Sequence, residues 1–200
     1  MTSPLLTLDF AEAAAAVQTG VAFADLRPAD EYLDVHIPGS IALVYERGPG
    51  MSSRARDCIP HDVAFVLLDP GNVDCSHAAA SLRGKGFTVL GKVDDAINTW
   101  AESHGTPAST EVLGKDDTPQ GTVLDVGDPG AAPVDDAVRI PIDLLWNRVG
   151  ELGDASPVIV VAGYGVRAAM AVGILERTGV EDVLVWRRRA APSPLPSPSR

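Results

Sequence analysis

VIVVAGYGVRAAMAVGILERT, residues 158–178, reads as a short apolar strand, a glycine-containing loop and an amphipathic helix, in that order. Val166, Ala169, Met170, Gly173 and Ile174 recur at the spacing of one helical face, which predicts a helix over 166–177 packed on a sheet. A loop of this kind turns backbone N–H groups toward whatever sits above the helix N-terminus, which makes it an anion cradle. A nucleophile would stand at the residue leaving the strand. That residue is Ala162, which has no reactive atom.

The stretch has a partner earlier in the chain. VAFVLLDPGNVDCSHAAASLRGKGF, residues 63–87, aligns with it without a gap at an offset of 93 residues, so that Leu68 falls on Val161, Leu82 on Leu175 and Gly86 on Gly179. Upstream of each block stands a similar strand, VAFADLRP at 21–28 and TVLDVGDP at 122–129. A period close to one small domain predicts a tandem duplication. Strands alternating with helices predict α/β units with mostly parallel sheets. Helices are expected near 10–18, 29–33, 74–83, 94–102, 142–151 and 166–177. Strands are expected near 21–25, 63–68, 88–90, 123–126, 158–161 and 182–186. The polar stretch 104–121 reads as a connector. The proline- and serine-rich tail, 188–200, reads as disordered.

A net charge of −11 argues against nucleic-acid or anionic-membrane partners. No apolar run approaches ~20 residues, and no signal peptide is apparent. Four histidines and two cysteines show no metal-ligand spacing, so no metal or other cofactor is expected, and a reduced, cytoplasmic location is the default. Cys75 shares a helical stripe with Ala78, Ala79 and Leu82, which makes it a core residue. Cys58 reads as part of a polar loop before a strand.

DLRPADEYLDVHIPGS, residues 25–40, resembles the signature D-x-R-x-x-x-E-[FY]-x-x-x-H-I-P-G-[AS] of rhodanese-like domains. The block opening at Val158 resembles the active-site loop of that family, C-x4-R before a helix, with Ala162 in the cysteine position and Arg167 in the arginine position. The pairing of an LLDPGN loop with a Gly-Tyr-Gly loop is similar to the tandem rhodanese segment that follows some metallo-β-lactamase-fold hydrolase domains. The resemblance implies two rhodanese-like domains, each a mostly parallel sheet flanked by helices, at 1–105 and 122–187. They would be joined by a connector at 106–121, with the second domain truncated at its C-terminus.

The resemblance also implies sulfur transfer, in which a loop cysteine holds a sulfane sulfur as a persulfide and passes it on. The chain departs from that pattern at the decisive positions. Asp69 and Ala162 stand where the nucleophiles would be, Asp74 replaces the first loop arginine, Gly127 replaces the second signature arginine, and the second half lacks H-I-P-G. The expectation is therefore a binding or regulatory module without sulfurtransferase activity at its usual sites. The alternative is an active thiosulfate or persulfide sulfurtransferase using Cys75 or Cys58 as a displaced nucleophile. Gly163, Tyr164, Gly165, Val166 and Arg167 are the candidate anion-binding loop, for a small anionic or persulfidic ligand. Arg167 either joins that loop or merely snorkels from the helix start. Asp25, Arg27, Glu31 and His36 read as a structural network bracing the loop before His36. The missing last helix predicts an open apolar face around Val183, Leu184, Val185 and Trp186, and with it self-association. A hydrolase is the other expected partner.

Overall fold

Strand β1 (Ala22–Asp25) is buried along its whole length, because both of its faces are covered. In the computed structural model, which describes residues 4–127, 134–162 and 165–187, it lies inside a four-stranded parallel sheet. Its neighbours are β2 (Ile41–Ala42) and β3 (Phe65–Asp69), with β4 (Val89–Asp94) beyond β3, giving the order β2-β1-β3-β4. Residues alternate between faces with the period of a strand. Phe23, Val66 and Leu68 therefore pack outward with Phe10 of helix α1 (Phe10–Val17) and Ala96 of α5 (Ala96–His104). Ala22, Ala24, Phe65 and Leu67 face inward.

On that inner side lie α2 (Ala29–Asp34), α3 (Gly50–Cys58) and α4 (Cys75–Arg83). Helix α3 corrects the loop expected around Cys58. Met51, Ser52, Ala55 and Cys58 form its buried stripe, and Cys58 is its last residue. The turn of α3 onto α4 is fixed by Ser81 Oγ donating to Ser52 Oγ at 2.8 Å.

The second half repeats the strand order. Strands β6 (Thr122–Asp125), β7 (Val138–Arg139), β8 (Val158–Val161) and β9 (Val183–Trp186) run β7-β6-β8-β9, again all parallel. Registers match residue for residue: Asp25 lies opposite Leu68 and Ala42, and Asp125 lies opposite Val161 and Arg139. A fifth strand, β5 (Val112–Leu113), pairs with the outer edge of β9. The first sheet has a one-residue counterpart, in which Thr7 bridges to Lys92.

Strand β5 lies inside the stretch expected to be a plain connector. That stretch is tied to both halves of the molecule. Ala108 exchanges two backbone hydrogen bonds with His36, and Val185 N donates to Glu111 O. The apolar face expected to lie open is also corrected. Val185 is buried, Val183, Leu184 and Trp186 are half-buried, and the Trp186 indole N–H donates to Gly114 O at 3.0 Å. The tail, 188–200, lies outside the described residues.

Helices α6 (Ile142–Arg148), continued by a 3-10 turn (Val149–Leu152), and α7 (Gly165–Arg177) complete the second half. Nine of the thirteen residues of α7 are buried, a continuous run from Ala168 to Leu175 among them. A helix apolar all round must be covered all round. Helix α7 meets β8 and β9 of its own sheet and also β2 and α2 of the other half, so inward residues of both sheets form one hydrophobic cluster. A Cβ on Gly173 would lie 2.1 Å from Ser40 O and 2.9 Å from Tyr32 Oη, so the crossing of α7 over β2 requires glycine there.

Candidate functional site

The C-terminal ends of parallel strands are where ligand sites of open α/β sheets form. Asp25 ends β1, and its Oδ1 accepts from Arg27 N at 3.0 Å, closing an Asx turn. Arg27 returns three side-chain bonds, Nε to Oδ1 at 3.0 Å and to Oδ2 at 3.1 Å and an Nη to Oδ2 at 2.6 Å, and also donates to Val35 O at 2.6 Å. Burial draws the Arg27 pKa down, but the Asp25 hydrogen bonds and charge outweigh it and hold the guanidinium firmly protonated. Glu31 stands exposed on α2, outside this hydrogen-bonded set, and touches Arg27 only through charge. The second half keeps the turn, with Gly127 N donating to Asp125 Oδ1 at 2.8 Å. There Arg139 of the neighbouring strand approaches Asp125 at 3.9 Å, in place of the missing arginine at 127.

Asp69 ends β3 at the first loop. Its Oδ1 accepts from Gly71 N at 2.8 Å, its Oδ2 accepts from Lys92 Nζ at 2.6 Å, and the Cys75 thiol also donates to it. Burial alone would raise the Asp69 pKa, but these three donors outweigh burial and lower it. Asp74 caps α4, accepting from His77 N at 3.0 Å. Two N–H groups of the loop and helix start, those of Gly71 and His77, are therefore occupied by carboxylates of the loop itself. The cleft above, of about 360 Å³, is lined by Asp25, Asp69, Asp94 and Asp95, with Arg27 as its cation.

Ala162 comes one residue after Val161, which lies opposite Asp125, as Asp69 comes one residue after Leu68, which lies opposite Asp25. Ala162 lines a cleft of about 500 Å³ with Leu33, Val44, Val166, Ala168 and Val185, and Arg187 bonds Asp30 at 2.6 Å on its rim. Gly165 and Val166 of the candidate anion loop border this cleft. Gly163 and Tyr164 lie outside the described residues. Arg167 lines a separate cavity of about 320 Å³ with Arg54, Asp57, Cys58 and Asp143. One residue along a helix turns a side chain by about 100°, so Val166 and Arg167 leave α7 on different sides.

Neither cysteine is disulfide-bonded, and both are buried. Burial, helped by Asp143 and Asp57, pushes the Cys58 thiol up to about 11. Burial, helped by Asp69, pushes Cys75 up to about 12. Thiolates are the nucleophilic form, so both side chains are held in the inert one.

His36 is fully buried and stacks on Tyr32 with ring centroids 4.3 Å apart. Its Nδ1 faces Tyr32 O at 2.9 Å, and its Nε2 faces the Glu176 carboxylate at 2.9 Å. Carbonyl and carboxylate oxygens only accept, so both contacts are hydrogen bonds when each ring nitrogen carries a proton or Glu176 carries one. Glu176 also accepts from Gly39 N at 2.9 Å. Glu176 and Lys92 hold the two loops in place, and sequence reasoning missed both. Each acts on a residue far along the chain, and no local pattern announces it.

Among the described residues no group of histidine, cysteine and carboxylate side chains could hold a metal ion, and no helix is long and apolar enough to cross a membrane. Residues 9–103 match the family model of the rhodanese-like domain. No curated protein sequence matches the chain. Among solved structures, one of EanB, a variant carrying a cysteine persulfide in a tetrahedral intermediate state with ergothioneine, is similar at 18% identity and a TM-score of 0.43. That alignment covers 92% of this chain and 59% of that one. Thiosulfate sulfurtransferase from Pseudomonas aeruginosa is similar at 18% identity and a TM-score of 0.39, over 98% of this chain and 47% of that one. The chain thus spans about half the length of these structures.

Proposed function

We propose, from the rhodanese-like domain at residues 9–103, that this protein is a pair of rhodanese-like units that bind without transferring sulfur at their loop positions. The observation that carries the reading is the pair of residues at equivalent positions at the C-terminal ends of β3 and β8, Asp69 and Ala162. A methyl group accepts no sulfane sulfur. The Asp69 carboxylate fills with its own oxygens the place an incoming anion would take. Cys58 and Cys75, with pKa values of about 11 and about 12, are almost wholly protonated at neutral pH, which weighs against a displaced nucleophile.

Thiocyanate formation from thiosulfate and cyanide tests the reading. The wild-type protein is expected to form none above the uncatalysed rate. Turnover that disappears in Cys58→Ala or Cys75→Ala would establish the displaced-cysteine enzyme instead.

A further inference from the structure

A fourth cleft lies on the opposite face of the first sheet from the shared core, between α1, α5 and the end of α7. It encloses about 450 Å³, the size of a small organic ligand. Phe23 and Ile37, both buried, form its floor, and Trp100 and His104 form one wall. Those last two rings stack at 4.3 Å with 14° between their planes, and Phe10 meets both edge-on.

Arg177 lines the same cleft. One terminal nitrogen donates to Gly20 O at 2.6 Å and to Val21 O at 3.1 Å, which uses two of the five guanidinium N–H groups. Among the described residues no carboxylate forms an ion pair with it, and the remaining nitrogens reach solvent rather than being buried without a partner. Burial lowers its pKa, with no neighbouring charge to offset that effect. Glu176, the carboxylate that also lines the cleft, has both oxygens engaged by His36 and Gly39.

We propose that this cleft binds a small organic carboxylate with an aromatic body, the acid group on Arg177 and the ring against Trp100 and Phe23. An inorganic anion would leave the aromatic wall unused. A neutral aromatic would leave a half-buried cation without an anionic partner. The guanidinium already lies 5.9 Å from the centroid of the Trp146 ring, outside the cleft, but has no carboxylate partner; that missing anion and an aromatic wall in one cavity thus converge on one ligand class. The site is independent of the Ala162 and Asp69 loops.

Titration calorimetry with naphthoate, and with the neutral naphthalene carboxamide of the same shape, tests this. Naphthoate is expected to bind the wild-type protein, and the carboxamide at least ~10-fold more weakly, the effect of losing one charge-assisted hydrogen-bonded pair. Arg177→Gln is expected to erase the difference between the two compounds. Because Arg177 also ties α7 to Gly20, a second variant, Ala14→Phe, fills the cleft from α1 without touching the cation and is expected to abolish binding of both. Equal affinity for acid and amide, binding unchanged by Ala14→Phe, or no binding of naphthoate at millimolar concentration would each overturn the proposal.

Discussion

The imidazole of His36 and the carboxylate of Glu176, 140 residues apart in sequence, meet at 2.9 Å across the boundary between the two sheets. The carboxylate is mostly buried and serves two donors, His36 Nε2 and Gly39 N. Glu176→Ala leaves the fully buried His36 ring without its acceptor and takes one from Gly39 N, at a cost of about 2–4 kcal/mol. Urea unfolding should show that loss as a lower midpoint. A midpoint within error of wild type would mean the contact holds nothing together.

Gly173 gives a prediction of opposite sign to helix propensity. In an exposed helix, glycine to alanine gains about 1 kcal/mol. Here the added methyl runs into Ser40 O and Tyr32 Oη. Gly173→Ala is expected to destabilise by at least about 1–3 kcal/mol, the cost of overpacking, and thermal unfolding would show it.

The cysteines predict an alkaline limb. Each folded-state pKa lies above the ordinary value of 9.0, so the stability it contributes is fully present below pH 9 and is lost as pH rises through about 11 for Cys58 and about 12 for Cys75. Stability should fall by up to ~1.4 kcal/mol per pH unit for each thiol across that window. Replacing either cysteine by alanine should flatten the slope of unfolding free energy against pH, whatever it does to the absolute value.

Asp69 is, after burial, the main reason the Cys75 thiol resists ionisation. In a Cys58→Ala background, Asp69→Asn should therefore speed alkylation of Cys75 by iodoacetamide, by roughly 3- to 10-fold at fixed pH. An unchanged rate would show that burial alone protects the sulfur.

The elements that could be read in the sequence are those whose apolar pattern is local. The strands at Val158–Val161 and Phe65–Asp69 and the stripe of α7 carry their own periodicity. Helix α3 does not. Its buried face is made of Met51, Ser52, Ala55 and Cys58, which scarcely differ from polar loop residues in composition. Strand β5 is two residues in a polar run, recognisable only through the β9 edge it pairs with. The same limit applies at the sites. The positions of Asp69 and Ala162 follow from the repeat. The cavity that Arg167 shares with Cys58, and the engagement of His36 by Glu176, depend on how the two halves dock.

Helix α7 also sets an order of events during synthesis. Tyr32, Ile41 and Ala42 are wholly buried, and their cover includes a helix that ends at Arg177. While the chain grows from its N-terminus, the inner face of the first sheet must wait for more than a hundred further residues before that helix can close over it. Apolar surface left open for so long is the condition under which nascent chains aggregate or recruit chaperones. The burial of α7 between two sheets thus makes the first half, although it is made first, among the last parts of the molecule to reach its final packing.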